Sequence, residues 1–312
     1  MPVPVASELE FGVFALAGRP TLAKTAAEQA DKLGYEALWT GDHLSFPMPI
    51  LDPLLQLAQL ATFSDRVRLG TGVYLLPLRH PVPVAKQVGT LDHLTEGKLI
   101  FGVGIGGEFP QEYEAAGVPL RERGARLTES IEVLKLLWTG EEVSYDGRFF
   151  SFSKLRMRPG PRQSGGPPIW CGGRSAAALR RMGRLADGWL AYVVTPEAYR
   201  AGLETIAKTA AESGRQLDAF GTGHLLFTWI DQSYERAFEH ANAHLSQRYG
   251  MDFSRATKKY AALGRPEDVA ERVAAYRDAG VRHIVLDLTG PMTERDAQVE
   301  AFAKEVRPLL AG

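Results

Sequence analysis

Apolar and polar positions along the chain follow two rhythms. Nearly continuous apolar runs of strand length occur at Phe11–Leu16, Ala37–Thr40, Val67–Leu76, Leu99–Val103, Ile169–Cys171, Gly188–Tyr192, Leu225–Ile230 and His283–Leu288. Between them lie segments whose apolar residues recur at helical spacing. The first carries Leu22, Ala26, Ala30 and Leu33 on one face, with Thr21 placed to cap it and Gly34 to stop it. The others are Pro53–Phe63, Val82–Leu94, Ser175–Leu185, Pro196–Ser213, Tyr234–Arg248, Pro266–Ala279 and Thr293–Leu309. Strands apolar on both faces are those of a parallel sheet sheathed by helices. The alternation predicts an α/β fold, a (β/α)8 TIM barrel formed by residues 1–312 as one domain. An open doubly wound sheet is the alternative.

One interval is too long for a simple strand–helix unit. Gly104 to Pro168 reads as an enlarged insertion after strand 4. It holds a helix, Arg126–Trp138, and a hairpin in which Val143–Tyr145 and Arg148–Phe150 flank Asp146-Gly147, a type I′ turn signal. Arg158 to Pro168 reads as loop. A second excursion, Gly250 to Gly264, has weak periodicity and reads as a lid. In a barrel both would stand above the strand C-termini, where active sites form.

Composition narrows the function classes. With 36 basic and 37 acidic side chains the net charge is −1, without the basic excess of a nucleic-acid or membrane-surface binder. No apolar stretch reaches the roughly 20 residues of a membrane span. Met1–Glu10 has no signal-peptide pattern, so a cytoplasmic location is expected. A single cysteine, Cys171, excludes an internal disulfide or an all-Cys zinc site, and the histidines show no zinc-ligand spacing, so no metal is expected.

In a barrel, chemistry is sought in the residues just past each strand. After strand 2 comes Asp42-His43, a candidate for proton transfer or cofactor contact, or else a turn cap beside a rim histidine. After strand 3, Thr71-Gly72-Val73-Tyr74 offers close backbone approach to a ligand, or a bulge in a packed barrel. After strand 4, Gly104, Gly106 and Gly107 precede Glu108. Their spacing is G-x-G-x-G-G from Gly102, not the dinucleotide fingerprint, and their use would lie in accessible backbone N–H groups. After strand 5, Gly172-Gly173-Arg174-Ser175 opens a helix directly, either a phosphate cradle or a plain turn capped by Ser175.

Taken in order, these stretches resemble the bacterial-luciferase-like superfamily of flavin- and deazaflavin-dependent oxidoreductases. The most specific are Gly34 to His43, Arg68 to Gly72 through Arg79-His80-Pro81, Leu91 to Leu99, Arg121 to Gly140, and Pro167 to Gly173. Within it the chain looks like the coenzyme F420-dependent branch, chiefly because Asp42-His43 matches a position beside the deazaflavin ring. The resemblance implies hydride transfer between F420 and a small alcohol, carbonyl or activated alkene, in a homodimer. FMN is the alternative cofactor, in an O2-using monooxygenase, and a non-catalytic cofactor-binding barrel is a further alternative. It implies His43, Asp42 and Glu108 as catalytic residues, Asp42 holding His43 or touching the ring edge. Glu108 sits one position after the family's usual acidic position, which Gly107 occupies. Asp42, His43, Thr71 to Tyr74, the strand-4 glycines and Gly172 to Ser175 would bind the cofactor. A cis peptide between Gly72 and Val73 is also implied.

Overall fold

The structure, a computed structural model, describes residues 3–15 and 19–310. Along the chain come β1 (Glu10–Phe14), α1 (Pro20–Leu33), β2 (Ala37–Thr40), α2 (Pro53–Leu60), β3 (Arg68–Thr71), α3 (Pro81–Leu94) and β4 (Leu99–Val103). The insertion holds α4 (Pro110–Ala115), α5 (Arg123–Leu137), β5 (Glu142–Asp146) and β6 (Ser151–Arg156). Then follow β7 (Ile169–Cys171), α6 (Ala176–Leu185), β8 (Gly188–Tyr192), α7 (Pro196–Glu212), β9 (Gly221–Ile230) and α8 (Tyr234–Tyr249). Next come α9 (Ser254–Tyr260), β10 (Ala262–Gly264), α10 (Pro266–Asp278), β11 (His283–Leu288) and α11 (Arg295–Ala301), which runs on into a π-helical turn at Phe302–Val306 and a 3-10 turn at Arg307–Leu310. Strands β9, β11, β1, β2, β3, β4, β7 and β8 pair in parallel in that order, and β8 pairs with β9 to close the barrel. This is the expected TIM barrel. No helix among the described residues is long and apolar enough to cross a membrane.

The barrel interior is filled by a few very large side chains opposite glycines. Trp39, Trp170, Ile100, Leu190, Leu225 and Val285 form its core. A Cβ on Gly70 would lie 2.5 Å from the Trp39 ring, and one on Gly221 2.1 Å from Trp170. Trp39 Nε1 donates to His283 Nε2 at 3.0 Å, so the His283 proton sits on Nδ1, 3.1 Å from Glu10. Burial pushes the His283 pKa down, keeping the ring neutral. A second, larger core packs the helices on the outside of the strands.

Several elements differ from expectation. Helix α1 starts at Pro20 with Arg19 as N-cap, and Thr21 lies inside its first turn, because proline at the first position already suits a helix start. The end of the first run, at Leu16 and Gly18, lies outside the described residues. The apolar run Val67–Leu76 forms a strand only over Arg68–Thr71; the chain then turns through a cis Gly72–Val73 bond, as the resemblance implied, into a short 3-10 turn at Leu76–Leu78. The hairpin is not a two-residue I′ turn. Its strands flank the loop 147–150, closed by Gly147 N–H to Phe150 C=O, and Glu129 of α5 accepts from the N–H groups of Phe149 and Phe150. The segment after α8 holds α9 and β10, which extends the sheet beside β9.

Candidate functional site

Side chains of a barrel strand alternate in and out, so the core residues fix which positions face the mouth at the strand C-termini. Stepping on by two from Gly12, Trp39, Gly70, Gly102, Trp170, Leu190, Leu225 and Val285 gives Phe14, Gly41, Gly72, Gly104, Gly172, Tyr192, Phe227 and Asp287. The mouth is therefore two unlike halves. From β2 to β7 its floor is all glycine; from β8 round to β1 it is aromatic and charged.

Val73 stands on the glycine half. A Cβ on Gly104 would lie 2.4 Å from Val73 Cγ2, and one on Gly172 3.2 Å from Val73 Cγ1. These two glycines admit the turn after β3, and their N–H groups are bonded to Tyr74 C=O and Val103 C=O. The expectation that the Gly104 N–H would be open to a ligand is corrected accordingly. Gly106 and Gly107 take φ of 51° and 113°, against Leu75 and Arg123. Of the segment Thr71–Tyr74, only Gly72 and Val73 reach the mouth. The Thr71 hydroxyl donates to Gly102 C=O, and buried Tyr74 packs beneath the Arg79 guanidinium.

Asp42 and His43, adjacent at the end of β2, point in opposite directions. Asp42 is buried and accepts from Leu75 N–H at 2.8 Å and from Arg79 in a two-point contact. Burial raises its carboxyl above the usual range, against the pull of Arg79. It buttresses the turn after β3 and does not hold His43. That partner is Glu112 of α4, a residue the sequence reading missed. Glu112 is 1% exposed. Its Oε1 accepts from Leu44 N–H at 2.5 Å and Ser45 N–H at 3.0 Å, and its Oε2 lies 3.1 Å from His43 Nδ1. An ionised carboxylate only accepts, so the His43 proton sits on Nδ1 and Nε2 presents a lone pair. The His43 ring is stacked on Phe46 at 4.3 Å and edged by Phe109. Glu108 is exposed, whereas Glu112, one helical turn on, is drawn in by the β2 loop.

At the far end of the glycine half, Gly173 adopts φ 110° and its carbonyl accepts from Trp189 Nε1. Ser175 caps α6 by accepting from Ala178 N–H at 3.2 Å. Arg174 and Ser175 are exposed above a ten-residue helix whose N-terminus faces the mouth side of the barrel. Across the mouth, Arg248 of α8 makes a two-point contact with Asp287 at 2.6 and 2.9 Å, and Tyr249 meets the Tyr192 hydroxyl.

The closed parallel barrel, with its candidate site at the strand C-termini, defines a TIM-barrel protein. The model of the luciferase-like monooxygenase family matches residues 9–283, and the chain belongs to that family. It is 33% identical over 222 residues, 68% of the chain and 60% of the relative, to 4-hydroxyprotoasukamycin monooxygenase of Streptomyces nodosus subsp. asukaensis. It is 28% identical over 305 residues, 88% and 89% of the two chains, to an F420-dependent glucose-6-phosphate dehydrogenase of Nakamurella multipartita. The first curated relatives, uncharacterized mycobacterial proteins, are matched over 62% of their own length. Among solved structures, an F420-dependent secondary alcohol dehydrogenase superposes with a TM-score of 0.85 at 19% identity, over 98% of this chain and all of the other, a likeness of fold.

Proposed function

We propose that this protein is an F420-dependent oxidoreductase acting on a small alcohol or carbonyl compound. The observation that carries the reading is the His43–Glu112 pair at the edge of the glycine floor. An alcohol that loses hydride from carbon must also lose its hydroxyl proton, and His43 Nε2 is the acceptor for it, with Glu112 holding the Nδ1 proton and steadying the positive ring. The reverse reaction returns that proton to the new alkoxide. F420 when bound would accept that hydride in alcohol oxidation and give it back in the reverse direction. The residues fit such a group: the floor from β2 to β7 is glycine, so a flat ring would meet chiefly the Val73 side chain and the Phe14 ring, which lies against Gly41 and Gly72. Gly173 to Ser175 and the start of α6 suit a phosphate, since a helix N-terminus favours an anion. Asp42 and Arg79 hold the floor in shape from beneath, and Phe46 and Phe109 keep water from the imidazole.

A flavin-dependent monooxygenase is the second reading, favoured by the identity to the Streptomyces enzyme. The experiment titrates purified protein separately with F420 and FMN, then follows turnover with secondary alcohols with and without O2. The reading expects F420 to bind and to be reduced without O2. Tight FMN binding with O2 consumption, and no F420 binding, would overturn it.

A further inference from the structure

We propose that the aromatic half of the mouth takes a planar substrate bearing one carboxylate, and that Arg295 is the residue that selects for it. The inference rests on the proposed function only in assigning the glycine half to the cofactor.

The rings form a continuous wall. Tyr249, the last residue of α8, stacks on Phe253 at 4.7 Å and 13°, and Phe253 meets Phe227 at 6.0 Å. Phe227 meets Tyr192 at 5.3 Å, and Phe46, stacked on His43, meets Tyr249 at 6.2 Å. Each of Phe46, Tyr249 and Phe253 is only partly buried, so faces remain open to a flat partner. Aromatic faces and edges favour other planar groups beyond the area they cover.

The charges on this half do not balance. Asp287 is fully engaged by Arg248, whose other contact is His244 Nε2 at 2.9 Å. That imidazole is neutral, because burial and Arg248 push its pKa down. Arg295, at the start of α11, reaches the C-terminal end of β1 and donates to Phe14 C=O. Among the described residues no carboxylate lies within ion-pair distance of it, and Asp296 is exposed. Burial pulls the Arg295 guanidinium down to about 10, against the more distant pull of Asp287 and Asp296. Buried charges are ordinarily paired, and a substrate carboxylate would complete this one with the two-point geometry that arginine favours.

The test uses benzoate and its neutral isostere benzamide as probes, binding to the full chain without cofactor and followed by ligand-observed NMR. Benzoate is expected to bind at least tenfold more tightly than benzamide. That preference should collapse in Arg295→Gln and persist in Ser175→Asp, which burdens the phosphate cradle instead. The Arg295 Nε–H resonance, assigned by its loss in Arg295→Lys, should shift with benzoate and not with benzamide, a readout that needs no Gln variant to fold. Equal affinities, a preference that survives in Arg295→Gln, or one lost in Ser175→Asp would overturn the proposal. Because no cofactor is present, these outcomes are separate from whether F420 or FMN binds.

Discussion

Replacing Glu112 by glutamine separates its two tasks. In the native site one carboxylate oxygen accepts from Leu44 and Ser45 N–H, and the other faces His43 Nδ1. The glutamine carbonyl can keep the two backbone bonds, so the β2 loop should hold and stability should fall by about 1 kcal/mol, the worth of one hydrogen bond. Its NH2 must then face His43. Two donors cannot meet, so the imidazole proton moves to Nε2, which can no longer accept from substrate. Losing a positioned general base of this kind costs roughly 10²–10⁴-fold in turnover. The comparable Asp→Asn change in a serine protease, which also leaves the imidazole in the wrong tautomer, costs about 10⁴. Glu112→Ala removes the acceptor as well. Because Leu44 and Ser45 are exposed, water can reach their N–H groups, and the stability loss should stay at about 1–3 kcal/mol. Long-range ¹H–¹⁵N correlation of the His43 ring, urea unfolding and turnover measure the three quantities. A folded Glu112→Gln protein that keeps its proton on Nδ1, or turns over within a fewfold of wild type, would refute the role given to Glu112.

Two further outcomes are expected. Ser175→Asp keeps an N-cap of equal quality but sets a negative charge at the proposed cradle, so F420 fluorescence titration should show affinity falling tenfold or more with an unchanged melting temperature; unaltered affinity would move the phosphate elsewhere. His224 is fully buried against Tyr276, and burial, then Arg272, lowers its pKa from 6.5 to about 3. Its folded form thus resists protonation while the unfolded chain accepts it, so the contribution is complete above pH 6.5 and drains away as pH falls toward 3, at about 1.4 kcal/mol per unit. Urea unfolding of wild type and His224→Phe at pH 7, 5.5 and 4.5 should show the gap between them narrowing or reversing with acidity; parallel losses would contradict it.

The barrel was legible where local chemistry and the final environment agree. β2 and β4 were read with the bounds they have, because an apolar run between polar stops is what a strand buried on both faces requires. α4, α9 and β10 were not: the helices are too short for an apolar stripe to show, and β10 offers only Leu263 as a large apolar residue, so all three depend on the surfaces they pack on. β3 was read too long because Gly72 to Leu76 is as apolar as a strand, while the inward glycines of β4 and β7 let the chain turn across the mouth instead. The same limit governs the site. Asp42 and His43 look like a pair in sequence, but neighbours on an extended segment point to opposite sides, and their partners lie 37 and 69 residues further on. Glu108, Glu112 and Glu114 lie close together, and nothing local distinguishes Glu112 from the others. The choice is made by two backbone N–H groups of the β2 loop that need an acceptor. Arg295 is the same problem with the sign reversed. In sequence it sits between Glu294 and Asp296 and looks compensated, whereas in the fold those carboxylates face water and the guanidinium turns to the end of β1. Residue types along a strand end can therefore announce that a site exists, while its charge balance, and with it the kind of substrate it accepts, is written only in contacts between distant segments.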